Sequence, residues 1–331
     1  MEEVLLIVNP KSGVEKSRDS IVESAALLCE KRGLVFNVEY TKAVGDAETL
    51  ARKAAGKGFK TVVVAGGDGT IRDAADGIWG SETTLGVLPM GSGNGLARSM
   101  GVSQYYEKAL NTALCDNYVR IDRGLANGNS FYSAFGVGFD AEVSYKFSLD
   151  KRRGRTTYIK HAIREMFTFK PRKFRLLTDD SEIVTDAMLV AVCNCKQYGN
   201  NAYIAPKADP TDGELDVTVV HSGSFFAKVL AGLELFSGTL DRNILVENFK
   251  VKNIRIIDEK STGHIITHMD GEPIKTSGEV EIGCEKNGIK IAVPNEVQNF
   301  KPFFTPMRLI FDDLILDIKK NLGTQTIKNK E

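Results

Sequence analysis

The stretch Ala65-Gly66-Gly67-Asp68-Gly69-Thr70 places one carboxylate and one hydroxyl among three glycines. It follows an apolar run at residues 61–64, typical of a buried strand, and precedes apolar residues at helical spacing from Ile71 to Trp79. Glycine lets the backbone approach a ligand closely, and the free N–H groups at a helix start favour phosphate. A carboxylate there can hold Mg²⁺, directly or through water, or accept a proton from a hydroxyl. The stretch predicts a phosphate site; the alternative is a tight turn with an N-capping aspartate.

Two other loops rich in small polar residues also follow predicted strands. Asn9-Pro10-Lys11-Ser12-Gly13 comes after the apolar residues 4–8, and Gly91-Ser92-Gly93-Asn94-Gly95 comes after residues 85–88. The repeated strand–loop–helix order predicts an open, mostly parallel sheet with helices on both faces. Ligands bind such sheets at the carboxyl ends of the strands, so we expect the three loops at one edge. The alternative is that each loop only caps a helix.

The pattern changes near Tyr118. Asn127-Gly128 lies between two strand-like runs and predicts a hairpin. Helices are expected at residues 140–151, 156–167 and 225–236, and the rest beyond residue 173 reads as short strands of an antiparallel sandwich or barrel. We therefore expect an α/β domain at residues 1–124, a β-rich domain at 125–295, and a tail at 296–331 that packs back on the first domain.

Composition narrows the class of protein. The 331 residues are 42% apolar and 26% charged, with a formal net charge of zero, so no global field favours nucleic acid. The N-terminus enters a strand directly without a signal-peptide pattern, and no apolar run reaches membrane-spanning length. Five scattered cysteines fit a reducing cytosol without structural disulfides. A cytoplasmic protein without a transmembrane segment is expected.

The three loops together, followed by a β-rich half, resemble the diacylglycerol kinase and sphingosine kinase superfamily, and the similarity extends to about Pro294. The resemblance implies a phosphofructokinase-like α/β domain that binds ATP with Mg²⁺, and an antiparallel sandwich that completes the lipid site. The residues that this resemblance implies in the ATP site are Asn9, Pro10, Lys11, Ser12, Gly13, Thr41, Gly66, Gly67, Asp68, Gly69, Thr70, Ser92 and Asn94.

The resemblance also implies catalytic carboxylates. Asp68 would lie at the nucleotide phosphates and their Mg²⁺, and Asp122, in Arg-Ile-Asp-Arg-Gly, near the transferred phosphate. Glu272, in Met-Asp-Gly-Glu, resembles the family's proton acceptor. An alcohol must lose its proton as it attacks the γ-phosphate, and a positioned carboxylate can take that proton. From the residues alone, Asp-Gly-Glu would be read as a β-turn.

A second cation site is implied by residues 205–216, which resemble the stretch that holds a structural Mg²⁺ in bacterial diacylglycerol kinases. The matching positions are Asp209, Asp212 and Glu214, and acidic residues around a glycine turn suit a hard cation. In the family some of these ligands are backbone carbonyls. Pro210 departs from the commoner acidic, proline-free versions.

The acceptor is left open between a sphingoid base and a diacylglycerol. Gly-Ser-Gly-Asn-Gly-Leu-Ala at residues 91–97 is similar to the sphingosine and ceramide kinase form, whereas Arg98 is in the bacterial style. The resemblance implies a peripheral protein at the membrane surface, with a homodimer as a further possibility. The basic loop at 150–155 could face anionic headgroups, and the alternative is a solvated loop. The alternatives are an NAD kinase and a lipid-binding protein of this fold without activity.

Overall fold

The computed structural model describes residues 2–13, 15–150, 165, 168–261 and 263–295; of the residues 15–17 it describes the backbone alone. Except for residues 150 and 165, the basic loop at 150–155 and the predicted helix at 156–167 lie outside the described residues, as does the tail at 296–331.

Strands and helices alternate in the first half, and strands dominate the second. The strands are β1 Glu3–Val8, β2 Val35–Tyr40, β3 Thr61–Gly66, β4 Thr84–Pro89, β5 Tyr118–Ala126, β6 Asn129–Phe131, β7 Ala134–Gly138, β8 Arg172–Thr178, β9 Glu182–Cys193, β10 Leu215–His221, β11 Val246–Val251, β12 Asn253–Asp258, β13 His264–Met269, β14 Glu272–Ser277 and β15 Glu279–Ala292. The helices are α1 Glu15–Lys31, α2 Asp46–Gly56, α3 Asp68–Ile78, α4 Gly95–Ser99, α5 Tyr106–Ala113, α6 Phe139–Leu149 and α7 Phe225–Ser237. Within the described ranges, none of these helices is both long and apolar enough to cross a bilayer.

The first half is built on a parallel sheet, as predicted, and its strand order is β2-β1-β3-β4. Strands β1, β3 and β4 are almost wholly apolar and buried, as expected for a sheet whose two faces are covered, whereas the edge strand β2 is partly exposed. The register sets Val8 beside Ala65, and Ala65 beside Leu88. The loops after β1, β3 and β4 therefore leave the sheet at the same level. The chain runs outward from β1 to β2 and then returns past β1 to β3, which creates the crevice where open sheets bind ligands.

The second half is an antiparallel β-sandwich, which confirms the predicted class. Its strands follow the order β14-β13-β7-β9-β8-β12-β15, and β10 pairs with β9 and β11. Residues 280–284 and 289–293, which belong to the short strands expected beyond residue 173, are parts of the single long strand β15, whose register shifts between Glu285 and Ile289. That strand pairs with β12 in the sandwich and runs parallel to β4 at Ile291, so it connects the two halves.

Two hairpins have two-residue turns with positive φ at both positions, as type I′ turns require. Asn127 and Gly128, at φ 47° and 80°, join β5 to β6, and the predicted hairpin is confirmed. Asp270 and Gly271, at φ 50° and 82°, join β13 to β14. The second turn places Glu272 at the first position of β14.

Candidate active site

The three loops that follow β1, β3 and β4 lie against one another. Asn9 Nδ2 donates a hydrogen bond to Thr70 Oγ1 over 2.8 Å. The backbones of Gly67 and Gly91 also approach closely, since a Cβ added to Gly91 would lie 2.9 Å from the Gly67 Cα. A side chain at Gly91 would therefore push these loops apart. The structure brings the predicted loops together at one edge of the sheet.

Asp68 is the first residue of α3, and its carboxylate is clamped to the third loop. Its Oδ2 accepts a hydrogen bond from the Asn94 N–H at 2.9 Å, and its Oδ1 accepts one from the Gly95 N–H at 2.8 Å. Asn94 has a left-handed backbone with φ 55°, and its side chain exchanges two hydrogen bonds of 3.0 Å with the backbone of Gly91. The carboxylate position is thus fixed before any ligand binds.

The charge of Asp68 is held in an unfavourable environment. Burial raises the pKa of its carboxyl to about 6; the charges of Asp270 and Glu272 add to this, and the N–H groups of Asn94 and Gly95 oppose it. Acidic groups that repel one another attract a cation. Magnesium usually takes one or two carboxylates and completes its shell with phosphate oxygens and water. Asp68 therefore fits as a protein ligand, direct or through water, for Mg²⁺ that arrives with a nucleotide.

The raised pKa of Asp68 predicts a pH dependence for kcat/KM with ATP. Below about pH 6 the carboxyl is mostly protonated and cannot attract the cation, so kcat/KM should fall by about tenfold per pH unit there. Bound Mg²⁺ favours the ionised form, so the midpoint for kcat at saturating ATP should lie lower than that for kcat/KM. Initial rates from about pH 5 to about pH 8 test this, and a flat kcat/KM profile over that range would contradict it.

Glu272 reaches the phosphate turn from the other half of the chain. A Cβ added to Gly69 would lie only 2.4 Å from Glu272 Oε1, so the carboxylate rests directly on the first turn of α3. Its Oε2 accepts a hydrogen bond from Arg72 Nη2 at 2.8 Å, and the Glu272 side chain is 52% exposed. The sequence predicted this glutamate only through the family resemblance. The structure places it where an incoming hydroxyl could meet the phosphate turn.

Asp270 holds the hairpin that presents Glu272. Its carboxylate is buried and accepts hydrogen bonds from the N–H groups of Tyr132, Ser133 and Ala134 at 3.1, 2.7 and 3.2 Å. Burial raises the pKa of Asp270, whereas the nearby Arg72 guanidinium and the three N–H groups lower it. Asp270 thus fixes the turn geometry, a role that the sequence analysis did not assign.

The sequence analysis also assigned no role to Arg72, although this residue lies one helical turn after Asp68 and therefore on the same face of α3. Its Nη1 is buried, and no described residue accepts a hydrogen bond from it. A buried guanidinium N–H without a partner is costly, and phosphate oxygens are suitable acceptors for it. Arg72 can therefore hold Glu272 with one nitrogen and contact a phosphoryl group with the other.

Replacing Arg72 by methionine should lower kcat by about 10- to 100-fold, because both Glu272 and the transferred phosphoryl group would lose a cation. Steady-state kinetics measure the loss. Arg120→Met is the matched control. Arg120 forms an ion pair with Glu82 at 2.6 Å, and this pair is not at the phosphate turn. Equal kcat values for the two variants would exclude this role for Arg72.

Asp122 lies elsewhere. It is fully buried in β5, where its Oδ2 accepts a hydrogen bond from the Gly213 N–H at 2.6 Å and its Oδ1 accepts one from the Asn287 N–H at 2.7 Å. Burial raises its pKa, and those two N–H groups lower it. Among the described residues, no hydrogen bond or ion pair joins Asp122 to Asp68 or Glu272. The structure therefore places it with the 209–214 loop, and its role at the transferred phosphate stays a prediction.

The side chains expected to hold a structural Mg²⁺ do not converge. Asp209 Oδ1 accepts hydrogen bonds from the N–H and hydroxyl of Thr211 at 3.0 and 2.7 Å, so it closes its own turn. Asp212 Oδ1 accepts a hydrogen bond from the Glu214 N–H at 3.0 Å, and its Oδ2 contacts the ammonium of Lys250. Nowhere in the described ranges do three His, Cys, Asp or Glu side chains gather as possible metal ligands. The described side chains alone therefore do not form a site for this second cation.

The remaining predicted nucleotide residues lie along the same edge. Lys11 and Ser92 are exposed, whereas Thr41 is buried and its N–H donates to the Val8 carbonyl at 3.0 Å. Gly13 has φ 68°, and a Cβ there would lie 2.4 Å from the Met90 methyl group, so the first loop also touches the third. The exposed side chains stand at the rim, where a nucleotide could reach them.

Comparison with known proteins agrees with this arrangement in both halves. The diacylglycerol kinase catalytic domain family matches residues 3–126, and the YegS C-terminal NAD kinase beta sandwich-like domain family matches residues 133–292. Proteins named probable lipid kinase YegS, from Shigella boydii serotype 18 and Escherichia coli O6:K15:H31, are each 26% identical over 280 residues, which cover 82% of this chain and 89% of theirs.

Solved structures show the same architecture. One structure, of a candidate diacylglycerol kinase from Bacillus anthracis str. Sterne, has a TM-score of 0.72 at 25% identity and covers 89% of this chain and 98% of its own. A second structure, of a diacylglycerol kinase from the same organism, has a TM-score of 0.65 at 21% identity and covers 89% and 97%. With a match to the diacylglycerol kinase catalytic domain family followed by a match to the YegS-type β-sandwich family, the chain is similar in both halves to the diacylglycerol kinase superfamily.

Proposed function

We propose that this protein transfers the γ-phosphoryl group of ATP to the primary hydroxyl of a membrane lipid, either a sphingoid base or a diacylglycerol. The observation that carries the proposal is the contact of the Glu272 carboxylate with Gly69. It sets a proton acceptor from the sandwich directly on the phosphate turn of the α/β domain.

The first domain supplies the phosphate site. The glycines of the turn let the backbone reach the phosphates, and the free N–H groups at the start of α3 favour negative charge. When bound with ATP, Mg²⁺ would neutralise phosphate charge, and Asp68 would hold it. The Arg72 Nη1–H is a further donor for the transferred group.

The second domain supplies the base. As the lipid hydroxyl attacks, its O–H bond breaks and the proton passes to Glu272, while a new bond forms between that oxygen and the γ-phosphorus. The bond from the γ-phosphorus to the β,γ-bridging oxygen breaks, and ADP leaves with that electron pair. The half-exposed position of Glu272 is compatible with both a proton acceptor and exchange of the proton with water.

A lipid acceptor is supported by the relatives and by the surface of the sandwich. The relatives from Shigella boydii and Escherichia coli are named as lipid kinases. Helix α7 has no buried residue, and it exposes 81% of Phe226 and 66% of Leu233. Exposed apolar side chains on one helix are suited to acyl chains or to a bilayer. The corresponding proposed location is the cytoplasm, at the surface of a membrane.

The test is transfer of radiolabelled phosphate from ATP to sphinganine, diacylglycerol and ceramide in separate detergent micelles, with NAD as a non-lipid acceptor. Label in one lipid, absent when the Glu272→Gln protein replaces the wild type, would support the proposal and name the acceptor. Label in none of them, with ATP still bound, would show that the acceptor class is wrong.

NAD kinase activity is the second candidate, because the matched sandwich family is described as NAD kinase-like. Label in NADP and none in lipid would favour that reaction. A protein that binds lipid without phosphorylating it is the third candidate. It would be supported if Asp68→Asn left every property of the protein unchanged.

A further inference from the structure

A group of acidic residues surrounds the loop at 209–214. Burial raises the pKa of Asp216 in β10. The charges of Asp212 and Glu214 also raise this pKa, whereas Lys250 lowers it. Asp122 is buried beside the same loop and receives the Gly213 N–H. Neighbouring carboxylates in a partly buried region repel one another, so this part of the fold requires positive charge.

Two lysines supply that charge. The Lys250 ammonium contacts Asp212 Oδ2 and lies 3.6 Å from Asp216 Oδ2. Lys286 crosses the open face of Gly213, since a Cβ added there would lie 2.0 Å from the Lys286 Cε and 2.3 Å from its Nζ. Both ammonium groups thus lie at the loop itself.

The position of Lys250 is set by strand pairing. In the antiparallel register of β10 and β11, Lys250 is directly opposite Asp216. Cross-strand neighbours on one face lie within side-chain reach, so the pairing brings the ammonium over the start of β10 and the loop before it. The hydrogen bond to Asp212 raises the pKa of Lys250, and the group stays charged at neutral pH.

The same geometry disfavours a divalent cation. Magnesium requires about six oxygen ligands in a nearly regular octahedron. The Lys250 ammonium occupies Asp212 Oδ2, so a divalent cation there would have to displace a positive charge, and Asp209 Oδ1 closes its own turn. A cation at this loop would also be repelled by two ammonium groups.

We propose that the Lys250 ammonium, supported by Lys286, takes the place of a structural divalent cation at residues 209–214, so that this loop folds without metal. The inference goes beyond the proposed reaction, and its test uses neither nucleotide nor lipid. Failure of the kinase assay would therefore leave it unaffected.

The experiment is thermal unfolding of the nucleotide-free protein in MgCl₂, in EDTA and in NaCl of equal ionic strength. We expect the wild-type Tm to be the same in all three. Lys250→Met should lower the Tm in EDTA by a few degrees, because Asp212 and Asp216 would lose their counter-charge, and MgCl₂ should restore part of this loss.

Lys60→Met is the matched control. Lys60 is 38% exposed, as Lys250 is, and it also joins two acidic residues, Glu2 at 2.6 Å and Asp116 at 2.8 Å. It lies away from the loop, so its variant should gain no response to MgCl₂.

The proposal is overturned if EDTA lowers the wild-type Tm, if Lys250→Met keeps the wild-type Tm in EDTA, or if that variant gains no response to MgCl₂ beyond that of Lys60→Met. Titration of the nucleotide-free wild-type protein with Mn²⁺ tests the same point if the Lys250 variant does not fold. One-site binding of Mn²⁺ that Asp212→Asn abolishes would overturn the proposal, and absence of such binding would support it.

Discussion

Replacement of Glu272 by glutamine should lower kcat for phosphoryl transfer by about 100-fold or more, with little change in the Kd for ATP. The amide has the size of the carboxylate but cannot accept the proton of the attacking hydroxyl. ATP binding should persist because the three loops of the α/β domain make the phosphate site without this side chain. Initial-rate kinetics and calorimetric titration with Mg²⁺-ATP measure the two quantities separately.

Glu82→Gln is the matched control for this substitution. Glu82 is an exposed glutamate paired with Arg120 and with Lys290, each at 2.6 Å, as Glu272 is paired with Arg72. Loss of a surface ion pair should cost little, so the control should turn over at nearly the wild-type rate. If Glu272→Gln also kept near-normal turnover, Glu272 would not be the base.

Replacement of Asp68 by asparagine should reduce kcat/KM by about 100- to 1,000-fold and weaken Mg²⁺-ATP binding. The substitution removes the charge that would hold the cation, and the amide N–H₂ would face a backbone N–H of Asn94 or Gly95. Both effects act at the phosphate turn. Titration of the variant with ATP, with and without Mg²⁺, should show that the metal no longer improves binding.

Asp46→Asn is the control that separates the loss of a hydrogen-bond acceptor at a helix start from the loss of the charge that would hold the cation. Asp46 is the first residue of α2, and its Oδ2 accepts hydrogen bonds from the N–H groups of Lys42 and Ala43 at 2.7 and 2.8 Å. Like Asp68, it is the first residue of its helix and accepts two backbone N–H groups, but it is not at the phosphate turn. The control should lose some stability and keep ATP binding. Equal Mg²⁺-ATP affinity in Asp68→Asn and wild type would show that Asp68 only positions the third loop and does not hold the cation.

The edge of the sheet was predictable because it depends on local signals. Buried strands, glycine turns and helical spacing are encoded within short windows, and parallel strands must all end at the same side. The loops at Asn9, Gly66 and Gly91 therefore meet as expected. The hairpin at Asn127-Gly128 was predictable for a similar reason, since both residues tolerate positive φ.

Contacts between distant residues were not predictable in this way. Arg72 and Glu272 are 200 positions apart, and neither neighbourhood in the chain indicates the other. The family resemblance indicated Glu272 but neither its partner Arg72 nor the role of Asp270 in holding the turn. The resemblance also grouped Asp122 with the transferred phosphate, whereas its hydrogen bonds join it to Gly213 and Asn287.

The sequence alone determined the two-part fold, the phosphate edge and the resemblance to the superfamily, because each rests on periodicity, turn chemistry or motifs that are contiguous in the chain. Only the tertiary structure decided which side chains share a site. The long strand β15 joins the two halves, and the β13–β14 hairpin then brings Glu272 onto Gly69. The register of β10 with β11 likewise sets Lys250 against Asp212 and Asp216. Such pairs depend on the packing of elements far apart in sequence, and no local pattern specifies that packing.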